Sequence, residues 1–374
     1  MNYRKVIVIS SSYDFVKIFL LDFLKELSKI FRVNVLTNNK NKIDIPPYIN
    51  MFHIPVKRKI SPFSDLLSIL YAFYRFIKIR PEILISVTPK SIIFGSIIKL
   101  FFPRVKRFHI YTGITWTNMY GISRFLFILL DKLNIFLSDK ILFDSKEQIS
   151  FLNKNRIFSK KFHLINCGSI KGVDTKVFYK YSIIKKKKIR IKNNIPLEKK
   201  VILYLGRIDI EKGILNLLES FKIISKTHKD AILLIVGKDE MNITYHIDKF
   251  DKYLLNKIII RPHTHNAQDI YNIANIFCLP SEREGFGNSV IEASAVELPV
   301  IGSNIYGLQS SLINNYNGVV FKVGDIKDLA KKISYLLTNE SQCIKFGKNG
   351  REYVKKNFKP QDINNDLVRL IVEI

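Results

Sequence analysis

The stretch VILYLGRIDIEKG, residues 201–213, decides the fold of the second half of the chain. Its five leading apolar residues predict a buried strand, and the apolar periodicity of residues 214–227 predicts a helix directly after it. Gly206 lets the backbone turn tightly between the two. Ligands of open α/β sheets bind beyond the carboxyl ends of the strands, so we expect Arg207 and Lys212 to place two cations beside such a crevice. An ordinary charged strand–helix loop is the alternative.

The chemistry of these two cations suits a diphosphate. Arginine contacts phosphate through two parallel hydrogen bonds, and lysine supplies a point charge. The negative charge on a diphosphate rises when the bond to its sugar breaks, and fixed cations stabilise that charge. The neighbouring Asp209 and Glu211 are expected to orient the cations rather than to touch the ligand.

A second segment, PSEREGFGNSVIEA at residues 280–293, follows the strand-like IFCL at 276–279. Glu284 lies in the predicted loop and Glu292 about one turn into the predicted helix, with seven residues between them. Carboxylates accept hydrogen bonds from sugar and ribose hydroxyls. The glycines of the loop free backbone N–H groups at a helix N-terminus, which favours anions. A loop glutamate followed by an unrelated helix-surface glutamate is the alternative.

Strand-like and helix-like segments alternate on both sides of these motifs. One series starts at residues 6–10, and a second starts at residue 201 after a lysine-rich stretch. Two such series predict an α/β protein with two facing Rossmann-like domains and parallel sheets. We expect these domains over residues 1–185 and 186–360, with a helix over 361–374 that packs back on the first. Lys185–Lys188 is expected to be a solvated loop at the junction.

Positive charge is concentrated in the first half of the 374 residues. The whole chain has a net charge of +28, and residues 1–190 hold 35 Lys and Arg against 11 Asp and Glu. We expect an anionic partner there, such as nucleic acid, lipid headgroups or a phosphate-bearing substrate, with general lysine enrichment as the alternative. The three cysteines lie far apart, which argues against a disulfide framework or a zinc site and favours a reducing compartment.

Together the two motifs resemble those of family 4 glycosyltransferases, which have the GT-B fold. The resemblance covers most of the chain, and the glutamate segment is its most specific part. It implies transfer of a sugar from a nucleoside diphosphate with retention of anomeric configuration, without a metal ion or another cofactor. The C-terminal domain would then bind the donor and the N-terminal domain the acceptor.

The resemblance also implies a role for each motif residue. Arg207 and Lys212 would hold the donor diphosphate, Glu284 the donor sugar and Glu292 the ribose. The catalytic groups would be the two cations and Glu284. Backbone groups of both loops and a residue after the strand-like KIIIR would add donor contacts. These further donor-binding residues are Gly206, His263, Gly285, Phe286, Gly287 and Asn288.

The first half resembles a narrower group, the bacterial enzymes that extend lipid-linked sugars for O-antigen, capsule or protein-glycan assembly. The matching strings include TPK at residues 88–90 and YTGITW at residues 111–116. Both follow predicted strand ends and are therefore expected at the crevice, with plain turn chemistry as the alternative. The acceptor-binding residues that the resemblance implies are Lys90, Thr112, Gly113 and Trp116.

Two positions depart from the family pattern. The first loop, residues 10–14, has the sequence SSSYD where many members have glycines, so donor or acceptor contact by its backbone is not expected. Many members also have a histidine near the position of Thr112. The nearest histidine here is His109, which strand alternation directs elsewhere, and a histidine contact to the donor sugar is not assumed.

The predicted helix over residues 64–79 mixes aromatic and basic side chains, and Lys57-Arg58-Lys59 stands directly before it. Such a mixture suits anionic lipid. We therefore expect a cytoplasmic protein that is peripheral on the cytoplasmic face of the inner membrane, with a buried helix and snorkelling lysines as the alternative. The sequence contains no apolar run of about 18 residues, so a membrane-spanning helix is not expected. A signal peptide is not expected either.

The expected reaction is transfer of a hexosyl or N-acetylhexosaminyl group from a nucleotide-sugar to a polyprenyl-diphosphate-linked saccharide. A sugar-nucleotide epimerase or a phosphorylase of the same fold is the first alternative, which product analysis with donor alone would separate. A polyanion-binding protein is the second, but no nucleic-acid module is recognisable, and no specific nucleic acid partner is expected. The motifs leave open the donor sugar, the nucleobase, the acceptor linkage and the oligomeric state.

Overall fold

The chain forms two compact units, each with its own core. The structure, a computed structural model, describes residues 4–39, 45–57 and 61–373. The first unit consists of residues 1–171 and 360–374, and the second of residues 172–359. Arg58 and Lys59, which belong to the predicted basic stretch, lie outside the described residues.

The boundary between the units lies earlier than the expected position after residue 185. The segment that follows Gly172 bonds to the second unit. The backbone N–H of Tyr181 donates to Asn272 Oδ1 at 2.8 Å, and the Tyr181 hydroxyl donates to Asp269 Oδ1 at 2.7 Å. These bonds assign the segment before the lysine run to the second unit.

Parallel strands form the sheet of the first unit. They are β1 (Lys5–Ser10), β2 (Arg32–Thr37), β3 (Ile49–His53), β4 (Ile83–Val87), β5 (Lys106–Tyr111), β6 (Lys140–Phe143) and β7 (Phe162–Leu164). Their order is β3-β2-β1-β4-β5-β6-β7. Val6–Ile9 is fully buried, as a continuous apolar run in a parallel sheet should be. The order reverses between β1 and β4, so the crevice at their carboxyl ends is the expected ligand position in this unit.

Helices connect these strands. They are α1 (Tyr13–Phe15), α2 (Leu21–Ser28), α3 (Pro62–Ile79), α4 (Pro89–Phe101), α5 (Gly121–Leu137) and α6 (Lys146–Lys154), with a π-helical segment, Val16–Leu20, between α1 and α2. The helix predicted over residues 64–79 is confirmed as α3. Both α3 and α4 begin with proline, whose missing N–H has no partner at a helix start anyway. Within the described residues, no helix combines the length and the apolar character needed to cross a bilayer.

The second unit repeats the plan with strands β8 (Lys200–Leu205), β9 (Ala231–Val236), β10 (Ile258–Arg261), β11 (Ile276–Leu279), β12 (Val300–Ser303) and β13 (Gly318–Phe321). These parallel strands have the order β10-β9-β8-β11-β12-β13, so the order reverses between β8 and β11. The helices are α7 (Ile183–Lys192), α8 (Ile214–Ile224), α9 (Ile243–Ile247), α10 (Lys252–Leu255), α11 (Ala267–Ile273), α12 (Asn288–Ala295), α13 (Ile326–Thr338) and α14 (Glu340–Asn357). Two parallel-sheet Rossmann-like units confirm the predicted fold class.

The last helix, α15 (Pro360–Val372), belongs to the first unit and packs on α2. Lys140 Nζ donates to the carbonyl oxygens of Leu370 at 2.9 Å and of Glu373 at 2.7 Å. A cation at this end also complements the helix dipole. The Asp366 carboxylate accepts the backbone N–H of Asn166 at 2.7 Å, which attaches the same helix to the loop after β7.

The lysine run is not the solvated loop that composition predicted, because residues 183–192 form α7. The Ser182 side chain caps the helix by accepting the backbone N–H of Lys185. Arg190 fixes its other end: the buried guanidinium donates to the carbonyl oxygen of Ile273 through Nη2 at 2.7 Å and to that of Lys199 through Nη1 at 2.9 Å. A side chain that satisfies several buried carbonyls makes this end of the helix part of the unit's core.

We expect Arg190→Met to lower the free energy of unfolding of the second unit by about 3 kcal/mol, because the carbonyls around it lose a charged donor. The melting temperature should fall by about 6 °C or more. Lys188→Met, at an exposed position of the same helix, is the matched control and should melt like the unsubstituted chain. Equal melting temperatures for both variants in scanning calorimetry would contradict this role of Arg190.

Candidate active site

The two sequence motifs meet at the point where the strand order of the second unit reverses. Gly206 follows β8 and Pro280 follows β11, and these strands are paired in parallel through Leu203 and Phe277. The loops at their carboxyl ends therefore leave the sheet side by side. This is the position at which open α/β sheets bind ligands.

The two loops contact each other through backbone atoms. The backbone N–H of Glu282 donates to the carbonyl oxygen of Glu211 at 2.9 Å. Gly213 has a φ of +69°, and a Cβ atom at this position would lie 1.9 Å from the carbonyl oxygen of Pro280. Only glycine fits there, because any side chain would both clash and strain the backbone. Arg283 Nη2 also pairs with Glu211 Oε2 at 2.8 Å, so Glu211 binds across the loops rather than orienting a donor cation as expected.

Lys212 and Glu284 form an ion pair between the loops. Lys212 Nζ lies 2.5 Å from Glu284 Oε1, with 17% and 15% of the two side chains exposed. The buried Ser281 hydroxyl donates to the same carboxylate oxygen at 2.8 Å. The residue predicted to hold a diphosphate and the residue predicted to bind a sugar therefore have their functional atoms in contact.

Arg207 lies on the same loop and is held by carboxylates from two strand ends. Its Nη1 atom pairs with Asp209 and, at 3.1 Å, with Glu240 Oε2. The Tyr204 hydroxyl donates to the carbonyl oxygen of Arg207, and burial, followed by the charges of Asp209 and Glu284, holds the pKa of that hydroxyl well above its ordinary value. The contact of Asp209 agrees with its expected orienting role.

Sequence analysis did not identify Glu240. It follows β9, the strand next to β8, and its position four residues after a strand end is the only signal that could have indicated it. The side chain adds a second carboxylate to Arg207, so the cation that would meet a diphosphate is already neutralised within the unit.

The second glutamate of the motif is also fixed by a contact that the sequence did not indicate. Glu292 lies in α12, is 9% exposed, and its Oε2 atom accepts the Tyr271 hydroxyl at 3.1 Å. Tyr271 belongs to α11 and is fully buried; burial and then the charge of Glu292 hold its pKa well above the ordinary value. Tyr271 therefore stays a neutral donor that orients the carboxylate.

The glutamate loop packs closely against the loop that follows β12, with one glycine on each side of the contact. A Cβ atom on Gly307 would lie 1.9 Å from the carbonyl oxygen of Glu284, and one on Gly287 would lie 2.4 Å from Leu308 Cδ2. Gly287 has a φ of +80° and stands at the N-terminus of α12, where backbone N–H groups favour an anion. The Phe286 ring is buried against Phe358 at 5.2 Å, so only the backbone of this residue is available to a ligand.

His263 lies apart from these residues on the same sheet edge. It is exposed and follows β10, the edge strand, which is separated from β8 by β9. Its ring lies 5.2 Å from that of His265. Two strand spacings separate it from Gly206 by about 10 Å, a distance suited to the far end of an extended ligand rather than to its diphosphate.

The predicted acceptor residues of the first unit lie at the carboxyl ends of the adjacent strands β4 and β5. Lys90 Nζ pairs with Asp65 at 2.7 Å. The backbone N–H of Gly113 donates to Oε1 of Gln148, a residue of α6, at 3.1 Å. Thr88 has a φ of +90°, and its hydroxyl oxygen accepts the backbone N–H of Ser11 at 3.1 Å. That bond ties the glycine-free first loop to the TPK string.

The structure contradicts the predicted acceptor contact of Trp116. Its ring is fully buried, and its Nε1–H donates to Asp131 Oδ2 at 2.7 Å. Tyr111 donates its hydroxyl to the other oxygen of Asp131 at 2.8 Å. Burial raises the pKa of Asp131 to about 6, against the lowering effect of these two hydrogen bonds. Trp116 is therefore a core residue that holds α5.

His109 is buried as strand alternation indicated. Its Nδ1 atom lies 2.8 Å from the Ser86 hydroxyl, and burial, together with the charge of Arg107, lowers its pKa well below the ordinary value. This neutral imidazole lies inside the sheet rather than at its edge. Among the described residues, no group of three or more His, Cys, Asp or Glu side chains is arranged to hold a metal ion.

Comparisons with known proteins show which family the chain is similar to. The family model "Glycosyl transferases group 1" matches residues 185–353. "Capsular polysaccharide biosynthesis glycosyltransferase CapM" of Staphylococcus aureus is 33% identical over 318 residues, 84% of this chain and 82% of that protein. "N,N'-diacetylbacillosaminyl-diphospho-undecaprenol alpha-1,3-N-acetylgalactosaminyltransferase" of Campylobacter jejuni is 25% identical over 62% of this chain and 60% of its own length. The solved structure of Anabaena HepE with UDP-glucose has a TM-score of 0.81 at 14% identity, covers 100% of both chains, and shows the fold.

We expect Glu240→Gln to tighten binding of a free nucleoside diphosphate about twofold to fivefold. The pair with Arg207 is partly exposed and is therefore weak, so its loss frees the cation at small cost. Isothermal titration with UDP, GDP and ADP measures the change, and Glu219→Gln, at an exposed position of α8, is the control. Weaker binding by Glu240→Gln would show that this carboxylate assists the anion site instead of competing with it.

Proposed function

Because the chain belongs to the group 1 glycosyl transferases, family 4 with the GT-B fold, we propose that it is a retaining enzyme that uses a nucleoside-diphosphate sugar. It transfers a hexosyl or N-acetylhexosaminyl group to a polyprenyl-diphosphate-linked saccharide. The observation that supports this most directly is the 2.5 Å pair of Lys212 and Glu284 at the strand-order reversal. One group suits the diphosphate and the other suits the sugar attached to it.

The donor binds along the carboxyl edge of the second sheet in this proposal. Arg207 and Lys212 hold the diphosphate, assisted by backbone N–H groups of residues 285–288 at the start of α12. Glu284 accepts hydrogen bonds from the sugar hydroxyls, and Glu292, oriented by Tyr271, accepts those of the ribose. His263 borders the nucleobase, at the far end of the same edge.

Catalysis follows from charge stabilisation. As the bond between the anomeric carbon and the diphosphate breaks, negative charge develops on the departing diphosphate, next to Arg207 and Lys212. Fixed cations can neutralise it, so the proposed reaction is independent of a metal ion. The acceptor hydroxyl attacks from the face that the diphosphate leaves, and its proton passes to a diphosphate oxygen. Retention of the anomeric configuration follows.

The proposed acceptor comes from two relatives and from the charge of the first half. One relative is named for capsular polysaccharide biosynthesis and another for an undecaprenol-linked substrate. Lys90 and the backbone of Thr112 and Gly113 are the proposed acceptor contacts in the first unit. The excess of cations over residues 1–190 suits both a carrier diphosphate and an anionic membrane. We therefore place the enzyme on the cytoplasmic face of the inner membrane, in surface polysaccharide assembly.

We expect Arg207→Ala to lower kcat about 100-fold to 1,000-fold, because an electrostatic contact to the developing charge is lost. Sugar transfer to an undecaprenyl-diphosphate-linked acceptor would be measured with a panel of nucleotide-sugars, and the product's anomeric configuration by NMR. Lys226→Ala, an exposed cation outside the site, is the control. Near-normal turnover by a folded Arg207→Ala protein would remove the proposed role, and an inverted product would refute retention.

A further inference from the structure

Helix α5 exposes a row of large apolar side chains, whereas an ordinary surface helix exposes polar ones. Its buried positions include two polar residues, Asp131 and Asn134. Its exposed positions form an apolar stripe with helical spacing. The exposed members are Ile122, Phe125, Leu126, Leu129, Leu133 and Phe136. A helix with this arrangement directs its large apolar side chains at whatever lies outside the unit.

Helix α3 has the same arrangement at the same spacing. It buries small residues, Ser64, Ser68 and Ala72, together with Phe76. The exposed stripe consists of Phe63, Leu66, Leu67, Leu70, Tyr74 and Ile77. In both helices the exposed residues follow the first one by 3, 4, 7, 11 and 14 positions, and their exposed fractions lie between 41% and 78%. Each stripe runs about 21 Å along its helix.

Helix α4 is a neighbour of both helices, since it contacts α3 and α5. The rings of Phe73 in α3 and Phe101 in α4 lie 5.1 Å apart with their planes at 81°. Helix α4 adds three exposed apolar side chains, Ile93, Leu100 and Phe101. Soluble monomers rarely expose contiguous apolar patches of more than a few hundred Å². We call these exposed faces of α3, α4 and α5 the apolar surface.

The charges on the apolar surface are of one sign. The exposed charged residues of the three helices are Lys78 and Lys132. Asp65 is paired with Lys90, and Asp131 is buried. In a two-fold symmetric dimer, the same patch of both copies forms the interface. The cations of one copy would then face the cations of the other. An anionic lipid surface complements both the charge and the apolar side chains.

We propose that the apolar surface inserts into the boundary between headgroups and acyl chains of an anionic bilayer, with α3 and α5 lying in the plane of the membrane. The inference rests on the proposed function only in that a lipid-linked acceptor would reside in the same membrane. It goes beyond the proposed function because it assigns the membrane contact to α3 and α5. Burial of their apolar side chains, and not charge alone, would then drive binding.

The test is flotation of the full chain with vesicles of phosphatidylcholine and phosphatidylglycerol at 3:1, and with phosphatidylcholine alone. We expect binding to the mixed vesicles, and a loss of at least about tenfold in affinity for Leu126→Glu/Leu129→Glu and for Phe63→Glu/Leu70→Glu. The matched control is Ile223→Glu/Ile344→Glu, which changes two exposed apolar residues of the second unit and should bind as the unsubstituted chain does. All positions are exposed, so the variants are expected to fold.

Three results would overturn the proposal. The first two are vesicle binding that the α3 and α5 variants leave unchanged, and a stable dimer in light scattering that the same variants dissociate. Binding that high salt abolishes completely would also contradict it, because insertion of apolar side chains persists when charges are screened. Arg207→Ala should bind vesicles like the unsubstituted chain. If the proposed reaction is wrong, the chain should still bind vesicles. If the proposed membrane contact is wrong, the chain should still cleave the nucleotide-sugar donor.

Discussion

The close approach of Gly213 to the carbonyl oxygen of Pro280 is the constraint on which the candidate site depends. It brings the loop after β8 against the loop after β11, and a Cβ atom would prevent this. The ion pair of Lys212 and Glu284 and the backbone bond from Glu282 to Glu211 both bridge this contact. Two motifs that are separated by some seventy residues of sequence become one surface because a single position has no side chain.

The cations of this site are neutralised by carboxylates of their own unit. Arg207 is paired with Asp209 and Glu240, and Lys212 with Glu284. Such pairs hold the side chains in place. The pair of Arg207 and Glu240 is partly exposed, so that the proposed diphosphate ligand would replace this carboxylate at little cost. In the proposed function this arrangement would also select among anions, because an anion must offer enough charge to compete and a diphosphate offers more than a single carboxylate does.

The sequence was sufficient for the parts of the fold and site that depend on local pattern. Continuous apolar runs gave the strands, and the glycine and charge pattern after them placed Arg207, Lys212 and Glu284 at one sheet edge. Contacts made by residues remote in sequence were not predictable, since Glu240 and Tyr271 belong to neighbouring elements with no motif of their own. Helix α7 was missed because four consecutive lysines suggest solvent, whereas its stability comes from Arg190 and distant carbonyls.

Sequence pattern also left open which face of α5 points inward. An apolar stripe ordinarily identifies the buried side of a helix, and Trp116 would ordinarily be a candidate contact residue. Instead, Asp131 accepts hydrogen bonds from Tyr111 and Trp116, and Asn134 Oδ1 accepts Arg107 Nη2 at 2.6 Å. Because these hydrogen bonds hold Asp131 and Asn134 inside, the apolar stripe of α5 faces outward. The residues that contact Asp131 and Asn134 decide which face of α5 is buried. They belong to a strand and a loop that precede the helix.

Burial of polar residues on the inner face of α5 lowers the stability of the unit, as the pKa of Asp131 indicates. Burial raises the pKa of Asp131 to about 6, so the folded unit favours the protonated carboxyl group and loses stability as pH rises from the ordinary carboxyl range through 6. A unit built for core stability alone would bury Leu126 and Leu129 and leave a carboxylate in water. The chain does the opposite in α5, and α3 likewise buries serines beneath exposed leucines. Two helices that each expose an apolar stripe and bury polar residues fit the proposed membrane contact on their outer side.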